Sequence, residues 1–170
     1  MSIVILIAHI IILVIKMRIR LLKKNEIKEV SKLLVTAYEN EDKDRRWNEK
    51  CAEDYVQMMY KICNKLCFVA VEEGKIVGVT LNIIMPDFCK EIVESRVLLV
   101  HPDFRRQKIG TKLITKVCEK ALNDFNIEEI ESSIYTLTNF PITWYECIGF
   151  RTKKYYEVTR ANIANVLNKM

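Results

Sequence analysis

The sequence predicts a mixed α/β (α+β) fold, and three observations carry that expectation. Short apolar runs such as CFVAV, IVGVTLNII and SRVLLV have the length and composition of strands. Between them lie segments with three- and four-residue apolar steps, clearest at Ile109, Leu113, Ile114, Val117, Ala121, Leu122 and Phe125. No repeat, low-complexity tract or Pro/Gly/Ser linker divides the chain, so strands and helices are expected to share one core.

Taken in order, MRIRLL from Met17 alternates polar and apolar residues and reads as a strand. Asn25 is placed to cap a helix whose apolar residues are Ile27, Val30, Leu33, Leu34 and Ala37. A second, weaker helix covers Trp47 to Ile62. CFVAV and IVGVTLNII then form a hairpin around EEGK, in which the glycine supplies positive φ. Pro86 and Asp87 are expected to end that run, and Pro102 to end the next strand, Ser95 to Val100. After the helix from Ile109 to Phe125, IEEIESSIY reads as a strand and Pro141 to Ile148 as a short helix with Gly149 as its C-cap. RTKKYYEVT reads as a last strand, and ANIANVLNKM as a helix or a shortened strand.

A chain of 170 residues suits one domain with a real core, and 50% hydrophobic with 29% charged residues excludes wholesale disorder. The net charge of +5 suits an anionic small ligand as well as nucleic acid. No lysine run or aromatic-studded basic strand is present, so nucleic acid is not expected as a partner. The six cysteines contain no C-x-x-C and accompany only two histidines; reduced packing thiols in a cytoplasmic protein, and no metal, are the expectation.

Residues 1–16 stand apart. Ile3 to Ile15 reads IVILIAHIIILVI, and as a helix its thirteen residues reach about 20 Å, short of the roughly 30 Å hydrocarbon core. A secretory signal is poorly matched, since no basic segment precedes the run and no small-residue cleavage site follows it. The readings are an appendage packed on the domain, a shallow membrane contact through residues 3–15, and translation upstream of a start at Met17. The first is preferred, which gives an appendage over 1–16 and a single domain over 17–170. Oligomeric state is not readable.

The stretch with chemical content is HPDFRRQKIGTKLI, from His101 to Ile114. A strand that stops at a cationic loop with a glycine and then becomes a helix builds an anion site. The helix's first amides lack intrahelical acceptors, and its dipole adds positive potential there. Phosphates dock on such termini, Gly110 permits close backbone approach, and Arg105 and Arg106 can add charge-assisted hydrogen bonds. No Walker A loop and no G-x-G-x-x-G pattern is present.

This stretch resembles the R/Q-x-x-G-x-G/A acetyl-coenzyme A signature of the GNAT superfamily of N-acetyltransferases, matching at Arg105, Ile109 and Gly110. WYECIGF, from Trp144 to Phe150, resembles the family's second motif, a tyrosine four residues before Gly-Phe, and VEEGKIVGV looks like the hairpin before its cofactor strand. The resemblance covers about Met17 to Thr159. It implies a splayed mixed sheet flanked by about four helices, with acetyl-CoA as cosubstrate and an amine as acceptor. Backbone groups of Leu99 and Val100 would meet the pantetheine arm, and the amides of Arg106, Gln107, Lys108, Ile109, Gly110 and Thr111 would hold the pyrophosphate. Two departures stand out: Lys108 occupies the place of the first motif glycine, and Asn139 falls one residue late, where Thr138 holds the family's asparagine position.

Acyl transfer from a thioester to an amine needs a neutral amine, a polarised carbonyl and a proton for the departing thiolate. An amine of pKa near 10 is neutral about one part in a thousand at pH 7, so a base helps. Tyr145 resembles the family's general acid. The family's device for the carbonyl is a backbone amide at the splayed strand, a small oxyanion hole that the resemblance assigns to Leu99 or Val100. Glu94 is the candidate base, and Glu39 and Glu41 are candidates on the acceptor side. The mixed-charge segment ENEDKDRRW ends in Trp47, which could stack on a cationic amine. No Cys-His or Ser-His pair is evident. The function expected is direct acetyl transfer to a primary amine (a small amine, a protein N-terminus or a lysine), with a non-catalytic CoA- or partner-binding protein of the same fold as the alternative.

Overall fold

The computed structural model describes residues 17–39, 46–134, 141–153 and 163. The chain divides into two compact units, Met1–Ser133 and Ile134–Met170. In the first, a five-stranded sheet runs in the order β1 (Met17–Leu21), β2 (Phe68–Glu72), β3 (Lys75–Asp87), β4 (Lys90–Val100) and β5 (Ile130–Ser132). The first four strands pair antiparallel, and β5 joins β4 in parallel. Helices α1 (Ile27–Tyr38) and α2 (Glu49–Cys63) bury one sheet face, with Val79, Leu81, Val97 and Leu99. Helix α3 (Ile109–Phe125) buries the other, with Phe68, Ala70 and Val93.

The apolar steps read from the sequence are the buried ones: Ile27, Val30, Leu33, Leu34 and Ala37 on α1, and Ile109, Leu113, Ile114, Val117 and Ala121 on α3. Leu122, counted with that face, is 53% exposed. Asn25 does not cap α1. Lys24–Glu26 form a short 3-10 turn instead, in which Glu26 accepts from the Lys23 N–H at 3.0 Å. Its carboxylate also takes both ends of the Arg20 guanidinium, at 2.6 and 2.8 Å. Helix α2 begins two residues later than expected, because the Asn48 side chain accepts from the Cys51 N–H at 2.8 Å and so caps it.

At the first hairpin both turn residues have positive φ, Glu73 at 50° and Gly74 at 82°, the type I′ geometry that suits twisted strands. Pro86 does not end β3. The strand continues to Asp87, and Phe88–Cys89 make the turn to Lys90. The closing pair Asp87–Lys90 takes the ladder hydrogen bonds, so the adjacent pair Pro86–Glu91 does not need them and the missing N–H costs nothing. β5 is shorter than expected. Asn126 leaves α3 at φ 56°, and the Ile127 N–H turns back to the Ala121 carbonyl at 3.1 Å, so the residues before Ile130 reverse the chain.

All six thiols are free, but the expectation that several pack in the core is corrected: Cys51, Cys89, Cys118 and Cys147 are exposed, Cys63 is half-buried, and Cys67 alone is buried. Burial pushes the Cys67 thiol up to about 12. Among the described residues no helix is long and apolar enough to cross a membrane. In the second unit α4 spans Ile142–Cys147. Residues 1–16, most of RTKKYYEVT and most of ANIANVLNKM lie outside the described residues.

Candidate active site

Among the described residues β4 has a neighbour on both sides at three of its 11 residues. β5 pairs with Val93, Glu94 and Ser95 only. Arg96 then forms a bulge, since Ser95 opposes Asn82 and Val97 opposes Leu81. Beyond it one flank of β4 is open among the described residues. Antiparallel alternation decides which amides face that flank. The His101 N–H donates to the Val77 carbonyl at 2.8 Å, so Leu99 bonds to Val79, while the backbone groups of Leu98 and Val100 point to the open edge. Of the two expected residues, Val100 therefore offers its amide and Leu99 does not; Leu98 takes the second place. A strand's alternation is legible only once its register is known.

Past Val100 the chain makes a short turn over Pro102–Phe104, then Arg106 and Lys108 both adopt the left-handed conformation, at φ 64° and 60°. Such alternation turns successive N–H groups toward one side and forms an anion-binding nest. The amides of Arg106, Gln107, Lys108, Ile109, Gly110 and Thr111 have no acceptor among the described residues; the first helical bond is Lys112 to the Lys108 carbonyl, at 3.0 Å. Arg106, Gln107 and Lys108 are exposed, Gly110 and Thr111 half-buried and Ile109 buried. The glycine that Lys108 replaces thus serves a left-handed residue, a demand a lysine meets with some strain. Gly110 has no positive φ.

Ile109 is the hinge pin of this arrangement. A Cβ on Gly78 would lie 3.2 Å from the Ile109 Cγ2 and Leu113 Cδ1 atoms and 3.3 Å from the Leu99 carbonyl. Gly78 pairs with Val100, so the helix start is seated close to the end of β4. A glycine inside a strand signals such a close approach.

The cations and carboxylates divide. The exposed Arg105 side chain lies along the main chain, with Nε donating to the Val100 carbonyl at 3.3 Å and Nη2 to the Ala37 carbonyl at 3.5 Å. Glu94 is buried at 8% exposure and shares the α1–α2 face with its cross-strand neighbour Ile83. Its Oε2 lies 2.9 Å from the Arg96 Nη2, although the angle there is not that of a hydrogen bond. The distance decides in favour of an ion pair. Glu39 is exposed, Trp47 is half-buried with its ring 5.1 Å from Tyr55, and Glu41 and Asn139 lie outside the described residues.

In the second unit Tyr145 is held by the end of its own helix. The Gly149 N–H donates to Glu146 and the Phe150 N–H to Tyr145, at 3.1 and 3.0 Å, with Gly149 at φ 101°. This is a Schellman ending, and its accompanying apolar contact is the Phe150 ring 4.9 Å from that of Tyr145. Trp144 closes the other side at 4.8 Å, and Tyr145 is 7% exposed. The tyrosine, glycine and phenylalanine of WYECIGF are thus one mechanical unit.

A family model described as an acetyltransferase (GNAT) domain matches residues 63–152. The chain belongs to the GNAT acetyltransferase family. No curated protein sequence gives a significant match. Solved structures similar to this GNAT chain include the aminoglycoside N-acetyltransferase AAC(6')-Iy in complex with CoA, with a TM-score of 0.70 at 17% identity over 85% of this chain and 94% of that one. A ribosomal-protein-alanine N-acetyltransferase from Brucella melitensis biovar Abortus 2308 gives 0.66 at 17%, over 85% and 99%. An aminoglycoside acetyltransferase from an uncultured soil metagenomic sample, in complex with trehalose, gives 0.64 at 20%, over 86% and 96%. The five-stranded mixed sheet with helices on both faces matches the GNAT fold of these structures.

Proposed function

We propose that this GNAT protein moves an acetyl group from acetyl-CoA to a primary amine by direct transfer. The observation that carries the reading is the run of six amides, Arg106 to Thr111, without acceptors among the described residues at the start of α3. Such a run fits a diphosphate, which would take several N–H donors and the helix dipole at once. The left-handed Lys108 supports this, because its backbone keeps the geometry that a motif glycine would give. The exposed side chains of Arg106 and Lys108 would add cationic potential at the rim.

Acetyl-CoA, when bound, supplies an activated carbonyl. The Val100 amide, facing the open edge, would stabilise charge developing on that carbonyl oxygen. Tyr145 would give its proton to the leaving thiolate, and Glu94 would accept one from the amine, directly or through water. Acceptors named for the similar structures, an aminoglycoside and a ribosomal-protein alanine, are both amine-bearing and support an amine here. The free thiols suit a reducing compartment and support action in the cytoplasm. Residues 17–170 are taken as one catalytic domain and 1–16 as an appendage.

The test is calorimetric binding of acetyl-CoA to the full chain, followed by turnover on spermidine, tyramine, a peptide with a free N-terminus and a lysine peptide blocked at its N-terminus. Micromolar binding with acetylation of at least one is expected. Binding without turnover on any would leave a CoA-binding protein, and no binding would remove the cradle reading.

A further inference from the structure

Arg105 stands where a phosphate ligand is expected, yet its guanidinium is engaged by two main-chain carbonyls. One is Val100, at the end of β4; the other is Ala37, 68 residues away. Ala37 lies in the last turn of α1, whose final carbonyls lack intrahelical donors and carry partial negative charge. The helix brings no cation to that turn, and it runs out through Tyr38 to Glu39, a residue of the wrong sign for a helix C-terminus. Among the described residues, the cation hydrogen-bonded to this turn comes from Arg105. The other end of the same residue opens the nest: Arg105 is extended at φ −65° and ψ 162°, its N–H bonds to the Pro102 carbonyl, and the left-handed Arg106 follows.

We propose that Arg105 is a positioning residue, a clasp that ties the C-terminal end of α1 to the rim of the diphosphate cradle. The proposal rests on the acetyl-transfer reading of that cradle. Helix α3 packs on one face of β4 and α1 on the other, so an amine that approaches the open edge at Val100 from the α1 side passes the end of that helix. The end of α1 beside Val100 borders that approach. Release of the clasp therefore alters acceptor binding more than cofactor binding.

Arg105→Gln keeps a donor of similar reach but removes the charge and the second contact, and Arg105→Lys restores the charge alone. Both are compared with the wild-type full chain at a temperature where all remain folded. Expected for Arg105→Gln is an acetyl-CoA Kd within about threefold of wild type and a KM for the best-used amine of the panel raised about tenfold, the scale of one charge-assisted hydrogen bond. Arg105→Lys should fall between. A tenfold loss of acetyl-CoA affinity with unchanged amine KM would make Arg105 a phosphate ligand and overturn the clasp, as would unchanged values of both. A wild-type protein that binds acetyl-CoA but acetylates nothing in the panel removes the transfer reading, and the clasp falls with it.

Discussion

Glycine at position 108 separates what the backbone does in the cradle from what the lysine side chain does. Lys108 sits at φ 60° and ψ 17°, and its exposed side chain makes no hydrogen bond or ion pair among the described residues. A non-glycine residue held there costs about 1–2 kcal/mol. Glycine relieves that strain but frees the unfolded chain, which takes back about 0.4–1 kcal/mol. The net gain is roughly 0.5–1 kcal/mol, or a Tm increase of about 1–4 °C for a domain of this size. Because glycine keeps the nest, and an exposed ammonium contributes under about 1 kcal/mol, acetyl-CoA binding should change by less than about fivefold.

Lys108→Val supplies the opposite arm, since a β-branched residue is a genuine outlier at positive φ. It should lower Tm and weaken acetyl-CoA binding by tenfold or more as the nest leaves its conformation. Thermal unfolding by circular dichroism and titration calorimetry read the two quantities on the same preparations. A lower Tm for Lys108→Gly, or a tenfold loss of its affinity, refutes the reasoning: the position would then depend on the ammonium and not on the left-handed backbone.

Three further outcomes are expected. Gly78→Ala puts a methyl 3.2 Å from Ile109 and Leu113 side-chain atoms and 3.3 Å from the Leu99 carbonyl, so these neighbours must give by a few tenths of an ångström; a loss of about 1–2 kcal/mol and several-fold weaker acetyl-CoA binding should appear in the same two assays. Tyr145→Phe preserves the ring packing and the Schellman bonds, so it should leave acetyl-CoA affinity intact and lower kcat by at least about tenfold, whereas an unchanged kcat removes the tyrosine from proton transfer. The Arg20 hydrogen bond holds the Glu26 carboxyl below its usual range, so that bond stabilises the fold above about pH 4 and is lost as pH falls through the lowered value. Glu26→Gln should accordingly lower Tm by a few degrees at pH 7, and the deficit should shrink as pH falls below about 4.

What the sequence made legible follows from the range of the forces involved. Apolar steps along α1 and α3 are local, and the buried sets match them nearly residue for residue. The place of the unpaired amides at the start of α3 was equally local, because a helix start and its glycine are neighbours in the chain. Register was not. That Leu98 and not Leu99 turns its amide outward depends on Val77 meeting His101, and on a bulge at Arg96 that no residue type announces. Pro86 misled for the same reason: proline ends a strand only where the partner needs its N–H, and hairpin geometry decides that. The main-chain contacts of Arg105 were not legible, because Ala37 lies 68 residues away and offers a main-chain oxygen, which leaves no signal in side-chain identity.

The open edge and the nest share one cause. Among the described residues β4 has β5 beside it at Val93, Glu94 and Ser95 and no second neighbour beyond the bulge at Arg96. An unpaired strand edge invites pairing with another chain, and unpaired amides must stay hydrated or find an acceptor. Here both occur within a dozen residues, and the exposed Arg106, Gln107 and Lys108 keep the second group wet. Gly78 then brings the start of α3 close to the end of that same edge. A molecule with an acyl carbonyl and amides along one arm, and phosphates at the other end, satisfies the strand's donors and the helix's donors together. A compact anion such as inorganic phosphate would satisfy only the nest, so CoA should raise Tm well beyond what saturating phosphate achieves.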